Sequence, residues 1–370
     1  MVTEAISLRD IGPRTHESLR DPEAKQRHID ACLEQSVEYV RTTGLERYSF
    51  VNEALPELSL SELDLSASIA GRALRVPLMI APMTGSTARG QVINRRLAAV
   101  AERYGFAMGV GSQRVALESP ERAEFFRVRD VAPNVPLFAN LGAGQIARGY
   151  GANEARRAIA MIGADALFVH FNAMQEAVQG GDRDFRGVAK RLAVICRDLA
   201  AEGVPVYARE VCFGMSEATA RRLVDCGVAG IDCSGAGGTS WAKVEAWCAR
   251  NDRAKELGLA FGEWGIPTSE SILNVRRAAP DLQLVASGGL RSGIDLAKAI
   301  ALGADIGAMA RPFLVAAHAG EEAVVRLVES VLEELRICMF ATGSGTVREL
   351  RGKLRPPGGA IRDESRGTAT

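Results

Sequence analysis

Apolar runs too short for helices recur along the chain from residue 76, and each gives way to a glycine, a hydroxyl, an amide or a charge. They are VPLMIAPM (76–83), FAMGVGS (106–112), PLFANLG (136–142), ALFVHFN (166–172), VPVYARE (204–210), GIDCSG (230–235), LQLVASGG (282–289) and IGAMAR (306–311). None alternates regularly with polar residues, so each reads as a strand buried on both faces, as in parallel sheets. Between them lie stretches of helical periodicity rich in Ala, Arg, Glu and Leu, at 94–105, 153–163, 184–203, 216–227 and 292–303. Each of these ends on glycine, which takes the left-handed turn at a helix terminus at no steric cost.

Eight strand–helix units fit a (β/α)8 TIM barrel better than an open doubly wound sheet. The open sheet would want G-x-G-x-x-G directly after its first strand, whereas this strand runs into APMTGS. The barrel domain is expected over 77–350. Residues 1–76 form an N-terminal extension contributing to the substrate site. In it, DPEAKQRHIDACLEQSVEYVRTTG (21–44) predicts one long helix and LSELDLSASIAGRALRVP (60–77) a short hairpin. A helix over 320–340 closes the barrel, and the polar, Gly/Pro-rich stretch 351–370 predicts a disordered tail.

Charge narrows the partners. Lys+Arg and Asp+Glu both total 45, so there is no overall basic surface for nucleic acid, and an anionic ligand must be met locally. The seven cysteines form no C-x-x-C pair and are odd in number, against a disulfide framework. No apolar run suits a signal core or a membrane span. A soluble, cytoplasmic protein is expected.

The strand ends carry the candidate chemistry, because barrels of this kind place their sites there. In order they offer Thr84 and Gly85; Ser112, Gln113 and Arg114; Asn140; and His170 with Asn172, Gln175 and Glu176. Then come Arg209 and Glu210; Ser234 through Ser240; Gly288, Gly289 and Arg291; and Ala310 with Arg311. A stray polar group at a strand end needs only solvent to explain it; one at all eight ends predicts a ligand-binding rim. SGGLRSGID after strand seven opens a helix at Ser292 or Gly293, and MARPF follows strand eight. Loops so placed, with a helix N-terminus, bind phosphate in many barrels. The glycines of SGAGGTSW read either as a plain turn or as close backbone approach to a cofactor. His170 and Glu176, with no third nitrogen or sulfur ligand nearby, do not suit zinc.

IAPMTG, GVGSQRVALESP, FANLGA, HFNAMQEAVQGGDRDFRG, REVCFGMS, DCSGAGGTSW, WGIPT and SGGLRSGIDLAKAIALGA together resemble the type 2 isopentenyl-diphosphate delta-isomerases over residues 20–350. SGGLRSG occurs in other FMN barrels too; GSQR with HxNxxQE is more specific. The resemblance implies isomerisation of isopentenyl to dimethylallyl diphosphate by proton transfer at FMN reduced by NADPH, with Mg²⁺ on the diphosphate. It implies a homo-oligomer, a tetramer or octamer, whose partner is a small-molecule prenyl diphosphate. Matching FMN contacts are Met83, Thr84 and Gly85, then Ser112, Asn140, Arg209, Ser234 and Thr239. Gly289, Leu290, Arg291, Ala310 and Arg311 complete them. Gln175, His170 and Asn172 match the catalytic group and Glu176 the Mg²⁺ ligand. Lys25, His28, Gln113, Arg114 and Gln175 match the substrate contacts.

Three positions depart from that pattern. The arginine of an Arg-Lys-x-x-His clamp falls on Ala24, leaving Arg20 or Arg27 to replace it. A lysine expected after strand five is Arg209, and a glycine in the next turn is Cys212. These departures bear on the substrate, and a paralogue acting on another prenyl substrate is the alternative. The FMN-dependent 2-hydroxy-acid oxidases fit less well, since SGGLRSG lacks their histidine base, and SGAGGTSW lacks the cysteine of inosine-monophosphate-type dehydrogenases. A non-enzymatic phosphate-binding barrel would be colourless on purification.

Overall fold

In the computed structural model, which describes residues 22–355 and 357, the eight apolar runs close into a parallel barrel. Strands one to eight are Leu78–Ile80, Ala107–Gly109, Leu137–Gly142, Ala166–Phe171, Val206–Glu210, Gly230–Asp232, Gln283–Ala286 and Ile306–Met309. Each pairs with its neighbour in chain order, and strand eight returns to strand one.

Side chains alternate across each strand, and the parity decides what reaches the centre. Met79, Ala107, Phe138, Ala166, Phe168, Tyr207, Val285, Ile306 and Ala308 pack together inside the barrel, separately from the outer layer beneath the helices. Phe138 stacks on Phe168 with ring centroids 4.6 Å apart. Two residues further along the same strands, the same parity brings Asn140, His170, Arg209, Asp232 and Ser287 to the next layer up. A fully apolar floor thus carries a polar ceiling, and the site is built on that ceiling.

The hairpin appears as expected, Ala67–Ile69 against Arg72–Leu74. It plugs the lower mouth of the barrel. Ile69 and Leu74 join the inner cluster, and the Tyr207 hydroxyl donates to Gln283 (2.7 Å) while accepting from the Ala70 N–H (3.0 Å).

The helix predicted across 21–44 is corrected: it spans Pro22–Glu34 only. Val37 and Tyr39 are buried by running extended over the loop after strand six, where Glu38 bridges Thr239 in antiparallel fashion. A helix continuing past Glu34 could not make those bonds. Residues 37–43 therefore form a strap over the upper face. The closing helix is Glu321–Ala341, separated at Gly320 (φ 142°) from a shorter one, Arg311–Ala319. No helix among the described residues is long and apolar enough to cross a membrane. The expected disordered tail, except Arg351–Arg355 and Pro357, lies outside the described residues, as does Arg20.

Candidate functional site

Two adjoining cavities open over the strand ends; counting the space continuous with solvent, they take in about 1110 and 980 Å³. They share a wall made of Lys25, His28, Met83, Ser112, Arg209 and Trp241, among others. Every residue matched to an FMN contact lines the larger one except Asn140, which lines the smaller. His170, Asn172, Gln175, Glu176 and Arg114 all line the smaller cavity, and Lys25 and His28 line both. Gln113 does not reach either. It is fully buried beneath the rim, donating to the Ala158 carbonyl (2.8 Å) and accepting from the Asn140 N–H (2.9 Å). Its role is to brace strand three.

The phosphate end differs from expectation in one respect. In the helix after strand seven, Gly293–Ala301, two of the first N–H groups, those of Gly293 and Asp295, are already occupied. Ser292 Oγ accepts from Asp295, the Asp295 carboxylate accepts from Arg291, and Glu334 accepts from Gly293. An anion there would displace carboxylates. The helix after strand eight, Arg311–Ala319, starts on Ala310 with no side-chain cap. Its first turn opens on the larger cavity, where Ala310, Arg311 and Pro312 line the wall. That terminus and the Gly289–Leu290 backbone both face the larger cavity, and an uncapped helix start favours an anion.

The glycine pattern has a packing cause. A Cβ on Gly289 would lie 2.5 Å from Thr43 Cγ2 and 2.6 Å from the Gly237 carbonyl, at a φ of +76°. A Cβ on Gly288 or Gly238 would strike the facing glycine loop. The two loops and the strap approach backbone to backbone, so the plain-turn reading accounts for much of SGAGGTSW. Gly289→Val is expected to lower the melting temperature and flavin content together. A folded variant of wild-type melting temperature would show that the loops have room to part.

At the ceiling, Arg209 pairs with Asp232, and both are buried. Burial pushes the Asp232 carboxyl up, opposed by Arg209, the Ser287 hydroxyl (2.5 Å) and the Ser234 N–H. Asp232 was not foreseen; strand parity, applied to GIDCSG, would have flagged it as an inward carboxylate. Cys212 also lines the larger cavity, its sulfur accepting from the Trp241 backbone N–H (3.3 Å) near the Tyr39 hydroxyl (3.7 Å).

His170 Nδ1 lies 2.8 Å from Asn140 Oδ1. The Asn140 amide donates to the Val110 carbonyl, so Oδ1 is the atom facing the ring and Nδ1 must carry the hydrogen. Nε2 is then the unprotonated nitrogen, and it lies against the backbone at Gly142. Burial, then the charges of Lys25, Arg209 and Arg114, lower the His170 pKa from 6.5 to about 3. The unfolded chain therefore binds a proton between pH 6.5 and 3 that the native state refuses, so stability falls as the pH drops through that window. A gap of that size amounts to about 5 kcal/mol at its acid end. In urea unfolding at a series of pH values, His170→Asn is expected to show a shallower acid-side loss than wild type. Equal slopes would count against a neutral imidazole.

Asn172 donates to Gln175 Oε1 (3.2 Å) and Glu176 Oε1 (3.0 Å). Glu176 Oε2 accepts from the Asp182 N–H (2.8 Å), and burial raises its carboxyl above the ordinary value. Gln175 Nε2 donates to Glu245 (2.9 Å), which also pairs with His28 Nε2 at 3.2 Å. Burial alone would raise the Glu245 carboxyl; His28, Gln175 and Lys25 outweigh it and hold it low. Burial and Arg114 pull the Lys25 ammonium down. Glu245, in the helix Trp241–Trp247, was also missed, because its sequence neighbours carry no motif and only the fold brings it to Gln175.

Among the described residues there is no cluster of three or more metal-ligating side chains. Two carboxylates line the smaller cavity: Asp182 pairs with Arg148 at 2.9 Å, and Glu176 suits a hard cation whose remaining ligands are water and ligand oxygens, as Mg²⁺ prefers.

The model of the FMN-dependent dehydrogenase family matches residues 201–355. Over nearly its whole length the chain is similar to proteins named isopentenyl-diphosphate delta-isomerase. The one from Nostoc sp. is 48% identical over 92% of this chain and 97% of its own. For that of Synechococcus sp. the figures are 50%, 90% and 97%. For that of Stutzerimonas stutzeri they are 49%, 88% and 94%. Among solved structures, mandelate oxidase shares the fold with a TM-score of 0.57 at 20% identity, over 90% of this chain and 96% of its own. A mutant flavocytochrome b2 with benzoylformate does so with a TM-score of 0.60 at 17% identity, over 90% and 79%.

Proposed function

This chain belongs to the type 2, FMN-dependent isopentenyl-diphosphate delta-isomerase family, and on that premise we propose that it interconverts isopentenyl and dimethylallyl diphosphate with Mg²⁺ on the diphosphate and NADPH as the source of reducing equivalents. The observation that carries the reading is the Asn172–Gln175–Glu245–His28 chain of hydrogen bonds, in which Asn172, Gln175 and His28 line the smaller cavity beside Glu176 and the buried Glu245 links them from behind. When bound and reduced, FMN supplies an electron-rich ring against which a proton is gained at one end of the allylic unit and lost at the other.

The residues of this chain do the rest. Gln175, gripped at its oxygen by Asn172 and at its nitrogen by Glu245, presents a fixed amide to an alkene that offers no hydrogen-bonding handle of its own. His170, neutral and held in one tautomer by Asn140, forms part of the cavity wall without adding charge. Arg114 and Lys25 face the same cavity and supply the positive charge for a diphosphate. Glu176 supplies the carboxylate oxygen for Mg²⁺. Arg209, compensated by Asp232, stands where the two cavities meet and supplies a guanidinium toward an anionic flavin.

The oxidase reading loses its basis in the site: the loop after strand seven is SGGLRSG, and the resemblance to mandelate oxidase and flavocytochrome b2 is one of fold. The paralogue reading rests on the departures at Ala24, Arg209 and Cys212; the Ala24 side chain lies outside the described residues. One assay decides between the readings: anaerobic protein with FMN, dithionite, Mg²⁺ and isopentenyl diphosphate, followed by product analysis. Formation of dimethylallyl diphosphate is the expected result; a fully reduced, flavin-loaded sample that forms none would overturn the proposal in favour of another prenyl substrate.

A further inference from the structure

Glu38 belongs to none of the motifs above, yet its Oε1 accepts from two arginines of different loops. Arg291 Nη2 donates to it from 2.9 Å and Arg311 Nη1 from 2.5 Å. Arg291 follows strand seven, Arg311 follows strand eight, and both line the larger cavity at its phosphate end. The backbone holding Glu38 is pinned on either side. The Tyr39 N–H donates to Gly238 (2.9 Å), the Ser240 N–H to Val37 (2.8 Å), and Lys243 Nζ to the Glu38 carbonyl (2.7 Å).

A carboxylate at an anion site has the wrong sign to bind the anion, so its effect must pass through the arginines. Each guanidinium has five donors. Glu38 takes one from each, and Arg311 gives its Nε to the Cys32 carbonyl (2.7 Å); the geometry leaves other donors on both for a phosphate. Without a bridging carboxylate, two positive charges on adjacent loops would repel, and two long side chains would carry much rotamer freedom into the binding step. The phosphate would then have to gather them itself. We infer that Glu38 is a positioning residue for the cofactor phosphate: it holds Arg291 and Arg311 side by side at the uncapped start of the helix Arg311–Ala319. Because Glu38 rides on the strap, and Arg311 also grips the end of the Pro22–Glu34 helix through Cys32, the same contacts tie the phosphate end to the element that carries Lys25 and His28.

The inference rests on the FMN reading, and the experiment separates the two. Apoprotein is titrated with FMN and, in parallel, with riboflavin, which has the ring system but no phosphate, following quenching of flavin fluorescence. Wild type is expected to prefer FMN. Glu38→Gln, which keeps the shape and removes the charge, is expected to weaken FMN about tenfold or more, in line with loss of charge-assisted bonds, and to leave riboflavin nearly unchanged. Glu38→Asp is expected to fall between them, and it carries the comparison if circular dichroism shows Glu38→Gln to be misfolded. Equal loss for both flavins would reduce Glu38 to a part of the strap, and tighter FMN binding by Glu38→Gln would make it a competitor of the phosphate; either overturns the inference. An unchanged ratio does the same. Wild type that binds neither flavin would instead sink the cofactor reading, and this inference with it.

Discussion

Gln175→Leu is expected to retain flavin and lose turnover by ~10²–10⁴-fold, the range for removing a group that handles the transferred proton. Leucine has nearly the volume of glutamine, so the Ala173–Gln179 helix should stand. The change leaves Glu245 without one of its two side-chain partners and withdraws the amide from the cavity. Because the larger cavity contains no atom of Gln175, FMN affinity should be unmoved. Rapid-mixing with pre-reduced enzyme isolates the chemical step, and an unchanged rate there would remove Gln175 from the chemistry. Loss of flavin instead would mean that Gln175 supports the wall between the cavities.

Glu176→Gln is expected to raise both the Mg²⁺ concentration needed for half-activity and the KM for the diphosphate by roughly ten- to a hundredfold, the worth of one charge-assisted contact. The substitution is less innocent than its shape suggests. Glu176 accepts from Asn172 on one oxygen and from the Asp182 N–H on the other, so a glutamine must turn its NH₂ toward one of those donors. Glu176→Asp, which keeps the charge but shortens the reach, serves as the control. If both variants keep wild-type Mg²⁺ dependence and differ only in thermal stability, Glu176 is a brace for the turn that follows the Ala173–Gln179 helix. Activity measured across a Mg²⁺ titration, at saturating and at low substrate, distinguishes these outcomes.

The barrel was legible because its signal is local: short unalternating apolar runs, each closed by a polar group and several followed by a helix ending on glycine. The rim was legible for the same reason, since strand ends can be read along the chain. What stayed hidden depends on contacts between distant segments. Gln113 sits in a motif beside Arg114, yet it turns under the rim because the Asn140 N–H and the Ala158 carbonyl await it there. The helix expected to run to residue 44 stops at Glu34 because Val37 and Tyr39 gain burial by leaving it, a tertiary reward that helical propensity does not register. Asp232 could have been read from strand parity; Glu245 and Glu38 could not, since their partners lie 70 and 253 residues away in sequence.

That last separation also sets an order of events during synthesis. The strap is made early, but the loops it pairs with, around Gly238 and Arg291, emerge from the ribosome some 200 to 250 residues later. At about 5–20 residues per second the interval between Glu38 and Arg291 is roughly 13–50 seconds. Until the segments carrying Cys212, Gly238 and Trp264 are made, Val37 and Tyr39 lack the surface they bury against, and the nascent chain displays an apolar segment open to β-pairing with other chains. Closure of the upper face is consequently among the last steps of maturation, and protease sensitivity at Arg41 in ribosome-bound chains should persist until the strand seven loop is exposed.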